Sequence, residues 1–511
     1  MDSSSLTQML TLPSSLPVIL TSLLLFLVLV RHWKVSKGQG NFPPGPKPLP
    51  IIGNLHQLAR HELPHHAITG LSKQYGPVMK LQLGQVFSVV ISSAEAAKEV
   101  FKTNELKFTG KPELYVAGVL SYDHQSLIFS PYNDYCKQVR KIAALELLSS
   151  KRVQSFRSIR EEEMWNLVQF ISSSEGHAIN LGEKFFSMTN DLIARAAFGS
   201  KRKDGQNFIT VLEEIMSLAG GFDIFDVYPS LEFLSSITGV KARVLSIHKK
   251  MDKILEEILT EHRLKRNRNH VEADDQEDIV DTLLSYEEDN KNKFHLTINQ
   301  IKAIILDIFA AGSETSATSI EWAMSELIKN PGVMKKAQEK VREACKGKSK
   351  IEEPDVQNLD YLKAVIKETF RLHPPAPLSF RESIESGEIN GYTVPARAKI
   401  FINIYAIGRD PAIWEDPESF KPERFEGSSV DFKGNHFELL PFGSGRRICP
   451  GIGFATASIE LALAQLLYHF DWKLPNGTKL EDLDMTEKFV LAARKKTNLN
   501  VIATTIIPFQ N

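Results

Sequence analysis

Cysteine is scarce in this sequence. Its 511 residues include only Cys136, Cys345 and Cys449, far apart and in no Cys-x-x-Cys pairing, which excludes a disulfide framework and a cysteine zinc site. Net charge is equally thin, 61 basic side chains against 62 acidic ones leaving a formal −1, so nucleic acid is not an expected partner. The interior has no repeat of fixed period and no Gly/Ser-rich or Pro-rich linker, which argues against a solenoid and for one large catalytic unit. Charge is missing altogether between Asp2 and Arg31, and the stretch from Leu16 to Val30 is almost wholly aliphatic. With the region around Leu10, Leu12 and Pro13, that length can cross a bilayer. A basic segment before it and a small-x-small cleavage site after it are both lacking, so the segment is expected to stay as an anchor. Arg31, Lys34 and Lys37 follow the span and only Asp2 precedes it, which orients the body towards the cytosol.

Against these absences stands an ordinary globular composition, 42% hydrophobic and 24% charged, enough for a large core. The run Phe42-Pro43-Pro44-Gly45-Pro46-Lys47-Pro48 predicts a stiff, non-helical connector, because each proline fixes its own backbone angle and biases its predecessor away from helix. The expected organisation is therefore an anchor over 1–33, a basic and Pro-rich hinge over 34–55 and a catalytic domain over 56–511. Two short strands are predicted around Gly84-Gln85, over Val78 to Leu83 and Val86 to Ser92. Helical periodicity covers most of the remainder: Ile159 to Ile171, Phe186 to Phe198, Val244 to Leu264, Ile298 to Asn330, Val333 to Cys345, Leu362 to Leu372 and Gly453 to Phe470. The fold class expected is mainly α with a minor β part. Between Glu261 and Asp278 the charge switches from basic to acidic, which predicts a solvated loop.

Two segments carry the chemistry. In the helix from Ile298, Thr297 and Gln300 form a predicted capping box and Asn330-Pro331 a stop. Its middle holds Ala310-Ala311-Gly312-Ser313-Glu314-Thr315-Ser316, small and polar residues inside an apolar helix. They suit either close helix packing or a groove that presents one acid and one hydroxyl to a flat ligand. The second segment is Pro441-Phe442-Gly443-Ser444-Gly445-Arg446-Arg447-Ile448-Cys449-Pro450-Gly451, a Gly-rich loop with one cysteine just before a long helix. A lone cysteine is most often a small buried hydrophobe. Here the helix N-terminus favours its thiolate and the glycines let the backbone fold round the sulfur.

The pattern Phe442-x-x-Gly445-x-Arg447-x-Cys449-x-Gly451 resembles the haem-binding loop of the cytochrome P-450 superfamily. Three further segments match in order: Ala311 to Ser316 resembles the oxygen-activating part of the central helix, Glu368-Thr369-Phe370-Arg371 the Glu-x-x-Arg pair, and Pro422-Glu423-Arg424-Phe425 the motif whose arginine joins that pair. The resemblance implies a cytochrome P-450 fold preceded by an N-terminal transmembrane helix. It implies haem b with Cys449 as iron ligand and metal site, Phe442, Gly445, Arg447 and Gly451 around the cofactor, and Arg140, Arg381 and Arg447 on its propionates. Glu368, Arg371 and Arg424 take a structural role, holding the haem loop in register. Cys136 departs from the family, standing where a tryptophan is expected four residues before Arg140. Thr315 and Glu314 are the implied catalytic hydroxyl and acid of a proton relay.

The hinge, Tyr132-Asn133-Asp134-Tyr135 and Trp322 to Leu327 resemble plant A-type members, and Gly220 to Pro229 resembles terpenoid oxidisers. The expected function is thus insertion of one oxygen atom from O2 into a lipophilic secondary metabolite, a terpenoid foremost. Electrons would come from NADPH through NADPH-cytochrome reductase, at the endoplasmic reticulum membrane. The pocket expected for this substrate is lined by Phe222, Phe225, Phe309, Ala311, Ala376, Phe380 and Phe489, mostly apolar as a lipophilic ligand requires. Two rivals share the thiolate: a hydroperoxide-rearranging relative, which needs no acid and hydroxyl pair, and a membrane-tethered haem carrier or sensor without turnover.

Overall fold

A computed structural model describes residues 21–23, 40–201, 205–219, 223–268, 277–288, 294–489 and 492–508. Most of the expected anchor lies outside the described residues, and among those described no helix is long and apolar enough to cross a membrane. The strands are β1 (Val78–Leu83), β2 (Val86–Ile91), β3 (Ala178–Asn180), β4 (Leu378–Glu382), β5 (Gly387–Ile389), β6 (Tyr392–Val394), β7 (Lys399–Asn403), β8 (Phe470–Lys473), β9 (Glu487–Phe489), β10 (Ala493–Lys495) and β11 (Asn500–Thr505). Helices make up most of the rest, so the mainly α expectation with a minor β part holds.

The four-stranded sheet runs in the order β1-β2-β7-β4, with β2 and β7 parallel and the other pairs antiparallel. Val86, Val89, Val90 and Ile91 suit the pleated, half-buried surface of β2, and the hairpin closes at Gly84, whose φ of +57° favours glycine. A Cβ there would also stand 2.6 Å from the Val227 carbonyl oxygen, so the turn and the segment after residue 223 seat against each other. The Pro-rich connector is not a free tether: it lies along β1, where the Lys80 amide donates to the Pro44 carbonyl at 2.8 Å.

The central helix Ile298–Lys329 starts at the predicted box, with Gln300 N donating to Thr297 Oγ1 at 3.4 Å and Thr297 N to Gln300 Oε1 at 2.9 Å. It is buried almost all round, as a helix in the heart of a large core must be. The helix Leu181–Phe198 crosses it at Gly312, where a Cβ would stand 2.9 Å from Ile193 Cδ1. Thr189 Oγ1 donates to the Ser313 carbonyl at 3.0 Å in the same crossing. The helices Asp360–Leu372 and Ile452–His469 pack along the other side of the core.

One expectation is corrected. The charged segment from Glu261 is helical as far as Arg268, because the helix Val240–Arg268 runs past the predicted end. Its polar residues are tied down: Arg263 Nη2 donates to both oxygens of Glu287, and buried His262 meets Asp278 at 2.9 Å. Side-chain partners at Asp278 and on the following helix, Ile279–Glu288, outweigh the charge run that predicted a loop.

Candidate active site

The Gly-rich loop ends in a turn that fixes the sulfur. Cys449 N donates to the Phe442 carbonyl at 3.0 Å, and Phe442 is wedged by rings of Phe370 and Phe432 at 5.2 and 5.5 Å. Gly445 has φ +71° and lies so close to the Phe101 carbonyl that a Cβ would stand 2.7 Å from it; no other residue fits both demands. The Cys449 side chain, with Pro450 and Gly451, forms part of the wall of a cavity of about 420 Å³ between this loop and the central helix. Burial pushes the thiol pKa up, against the Gly451 amide and Arg140, which favour the anion. All three cysteines are free.

Behind the sulfur the chain gathers cations. Arg140 donates to the Arg446 carbonyl at 2.9 Å and to that of Ile448. Arg447 donates to the carbonyls of Thr109 at 2.7 Å and Ser130 at 2.8 Å, while its Nη1 is buried with no partner. Arg381 donates to its neighbour Phe380 O at 3.0 Å. Burial, then the repulsion of Arg447 and Arg140, pushes its pKa down to about 9. Lys111, which sequence reasoning missed, joins them, its pKa driven well down by burial and by the three arginines. All four line the cavity, and among the described residues none is in an ion pair. A cavity that sets a thiol beside three arginines and a lysine without an ion-pair partner fits a group that brings both a metal and carboxylates, as haem does. Cys136 is fully buried one turn before Arg140, and no indole stands in its place.

On the opposite wall Ile308, Ala311, Gly312, Thr315, Ser316 and Ser319 face the cavity, one stripe of the central helix at spacings of three and four. Thr315 Oγ1 donates to the Ala311 carbonyl at 2.6 Å, which leaves the oxygen lone pairs open. Glu314 does not line the cavity. Its carboxylate oxygens are buried and pair with no other side chain, and burial, opposed by Arg494 and the nearby Ala492 amide, pushes the pKa up to about 7. Gly312 bears out the packing reading by making room for Ile193, and of the groove reading the hydroxyl holds, with Ala311 and Thr315 bordering the cavity, while the acid, Glu314, does not reach it.

Ala376, Phe380 and Phe489 line the cavity as expected from sequence. Phe309 and Phe225 do not. Phe309 is stacked on Phe198 at 5.6 Å and meets Phe208 edge-on at 4.5 Å inside the core; Phe225 packs on Tyr115 at 5.4 Å, and its neighbours Asp226 and Val227 reach the wall instead. Phe222 lies outside the described residues.

Glu368, Arg371 and Arg424 come together away from the cavity. Arg371 grips Glu368 through Nε at 2.7 Å and Nη2 at 2.8 Å, Arg424 Nε adds a bond at 3.2 Å and the Lys421 amide one at 2.7 Å. The remaining Arg371 donors bind the carbonyls of Gly408 and Pro417 at 2.6 Å and of Ser419 at 3.1 Å. The cluster ties the helix Asp360–Leu372 to the chain over 408–424.

A family model, Cytochrome P450, matches residues 43–501. The melianol synthase of Citrus sinensis is 67% identical over 508 residues, covering 99% of this chain and 98% of its own. The premnaspirodiene oxygenase of Hyoscyamus muticus is 48% identical over 489 residues, covering 95% and 96%. A zebra fish cytochrome P450 solved with abiraterone superposes with a TM-score of 0.74 at 22% identity, over 87% of this chain and 100% of that one, which supports the fold. On this sequence, this architecture and these matches, the chain belongs to the cytochrome P450 family and is a haem monooxygenase that uses O2 and electrons passed from NADPH by a reductase.

Proposed function

We propose that this protein hydroxylates, or further oxidises, a terpenoid of the kind made or consumed by the melianol synthases. The observation that carries it is the Cys449 thiol set in the wall of a mostly apolar cavity whose cationic corner lacks a counter-charge. Bound haem supplies the activation of O2, and a sulfur ligand favours O–O cleavage. Cys449 would hold the iron, and Arg140, Arg381, Arg447 and Lys111 the propionates. Phe380, Phe489, Ala376 and Ile308 exclude water and hold a lipophilic substrate by contact rather than by polar bonds. Thr315 presents its hydroxyl to the cavity, and Glu314, protonated or charged near neutrality, resupplies the proton from outside the wall. The acid and hydroxyl together favour monooxygenation over hydroperoxide rearrangement, and reduction by the reductase with NADPH, followed by oxygen consumption on adding substrate, separates it from a haem carrier or sensor.

The test is purified protein with reductase, NADPH and a panel of terpenoids, fatty acids and phenolics. A terpenoid should shift the haem spectrum and give a product carrying one oxygen atom from labelled O2. A fatty acid or phenolic turned over in preference to every terpenoid would sink the reading.

Two predictions follow from the relay. Thr315→Ala should leave substrate affinity nearly unchanged and NADPH consumption in place, while product per NADPH falls roughly tenfold or more and hydrogen peroxide rises. Wild-type coupling in this variant would return Thr315 to a packing role. The acid form of Glu314 prevails below about pH 7 and is lost as pH rises through it. Product per NADPH should therefore decline on the alkaline side in the wild type, and Glu314→Gln should flatten that decline.

We place the body at the cytosolic face of the endoplasmic reticulum membrane, held by residues 1–33 through the hinge 34–55, with 56–511 as the catalytic domain. In support, exposed Leu49, Ile51 and Ile52 border the segment bearing exposed Ile224, Phe233 and Ile237, the Tyr228 hydroxyl donating to Ile51 O at 3.4 Å. Apolar surface of that kind marks a contact with membrane or partner. Deleting Met1 to Trp33 should move most of the protein into the soluble fraction with its haem spectrum intact; loss of haem from the folded truncated form would contradict the division.

A further inference from the structure

A second cluster of metal-competent side chains lies away from the thiolate, between the helix Pro64–Tyr75, strand β9 and the end of the helix Asp360–Leu372. His65 Nε2 stands 2.7 Å from Glu487 Oε2, and His66 Nε2 stands 3.3 Å from the same oxygen. His373 Nδ1 approaches the other oxygen, Oε1, at 3.9 Å. One ligand atom each from His65, His66 and Glu487 falls within 4.8 Å of the others.

Two observations make this more than a hydrogen-bonded knot. First, His66 Nε2 and His373 Nδ1 are buried and make no hydrogen bond, so two imidazole nitrogens close on one carboxylate without hydrogen-bond geometry. His373 cannot turn away: its ring is stacked on Trp322 at 4.0 Å and its Nε2 meets Glu326 at 2.7 Å. Second, that contact between a ring nitrogen and a carboxylate is the outer support that orients a metal-binding histidine. A first-row cation with bonds of about 2.0–2.2 Å to nitrogen and oxygen spaces its tetrahedral ligand atoms roughly 3.3 Å apart. The three histidine-to-carboxylate separations, 2.7, 3.3 and 3.9 Å, lie on either side of that value.

We propose that His65, His66, Glu487 and His373 form a structural binding site for a divalent cation of borderline softness, zinc foremost. Mixed imidazole and carboxylate donors select such a cation over magnesium or calcium. The ion enters past His66, whose side chain is 40% exposed. Bound there, it would clamp the helix Pro64–Tyr75 to β9, the strand whose Phe489 lines the active-site cavity, and would stabilise the fold by binding the native state alone.

The test uses full-length, haem-loaded protein in detergent, freed of any affinity tag, stripped with a chelator and dialysed against zinc chloride. One zinc per chain in addition to iron should survive gel filtration, and zinc should raise the thermal midpoint. His66→Ala, at a half-exposed position that tolerates truncation, should weaken zinc binding tenfold or more and abolish the thermal shift, with the reduced carbon monoxide spectrum unchanged. Cys345→Ser should keep full zinc binding. Folded wild-type protein that takes up no stoichiometric zinc, or zinc affinity unchanged in His66→Ala, would overturn the proposal, and neither result bears on the thiolate site.

Discussion

Cys449→Ser is expected to abolish turnover and the red-shifted absorption of the reduced carbon monoxide complex together. An alcohol is a far poorer anionic ligand than a thiol, and burial already penalises the anion here. The substitution is nearly isosteric, and the loop is held by bonds that do not involve the sulfur, Cys449 N to Phe442 O and the wedge of three phenylalanine rings. The fold should therefore survive, and the four-cation corner should retain some haem. That separation makes the measurement decisive: circular dichroism unchanged, haem partly present, shifted band and product both absent. Persistence of the band with turnover would mean that another residue ligates the iron.

Glu368→Gln is expected to fail at an earlier stage. The carboxylate is fully buried and accepts four hydrogen bonds, two of them from an arginine that is itself 1% exposed. An amide of the same shape removes the charge and turns one acceptor into a donor aimed at guanidinium or amide hydrogens. Breaking a buried pair this way costs about 3–5 kcal/mol, a large share of the roughly 5–15 kcal/mol that holds a native protein together. The variant should accumulate as insoluble or haem-free protein, read out as haem per polypeptide and thermal midpoint. Arg424→Lys, at the rim of the cluster, should lose far less. Wild-type haem content and midpoint in Glu368→Gln would show that the cluster is dispensable.

These two sites were legible in the sequence because their chemistry is local. A cysteine in a Gly-rich loop before a helix, and an acid and arginine one helical turn apart, declare themselves within a dozen residues. Helices were legible for the same reason, since apolar periodicity is a short-range signal. What depends on the rotation of a helix was not legible: Phe309, expected in the pocket as one of its apolar residues, lies about 100° from the facing stripe that Ile308, Ala311, Gly312, Thr315 and Ser319 define. Counting back from Thr315 in threes and fours would have found this, and would have put Glu314 behind the wall. Lys111 had only a weak signal, one lysine before a proline, because its meaning comes from Arg140, Arg381 and Arg447, which lie far along the chain. The helix to Arg268 was missed since its partners, Asp278 at the far end of the charge run and Glu287 beyond it, are brought close only by the fold.

The strap of residues along β1 bears on how this protein can be handled. Both outer strands of the four-stranded sheet are covered: on β4, Glu382 N bonds to Gly110 O at 2.9 Å, and on β1, Lys80 N bonds to Pro44 O and Gln82 O receives the Asn54 amide. A bare strand edge is a template for another chain. Shortened forms cut after Pro46 would strip one of these covers and leave Lys80 without its partner, so they should self-associate and precipitate as soluble concentration rises. Those cut before residue 40 keep the edge sealed, which sets the point at which an expression fragment should begin.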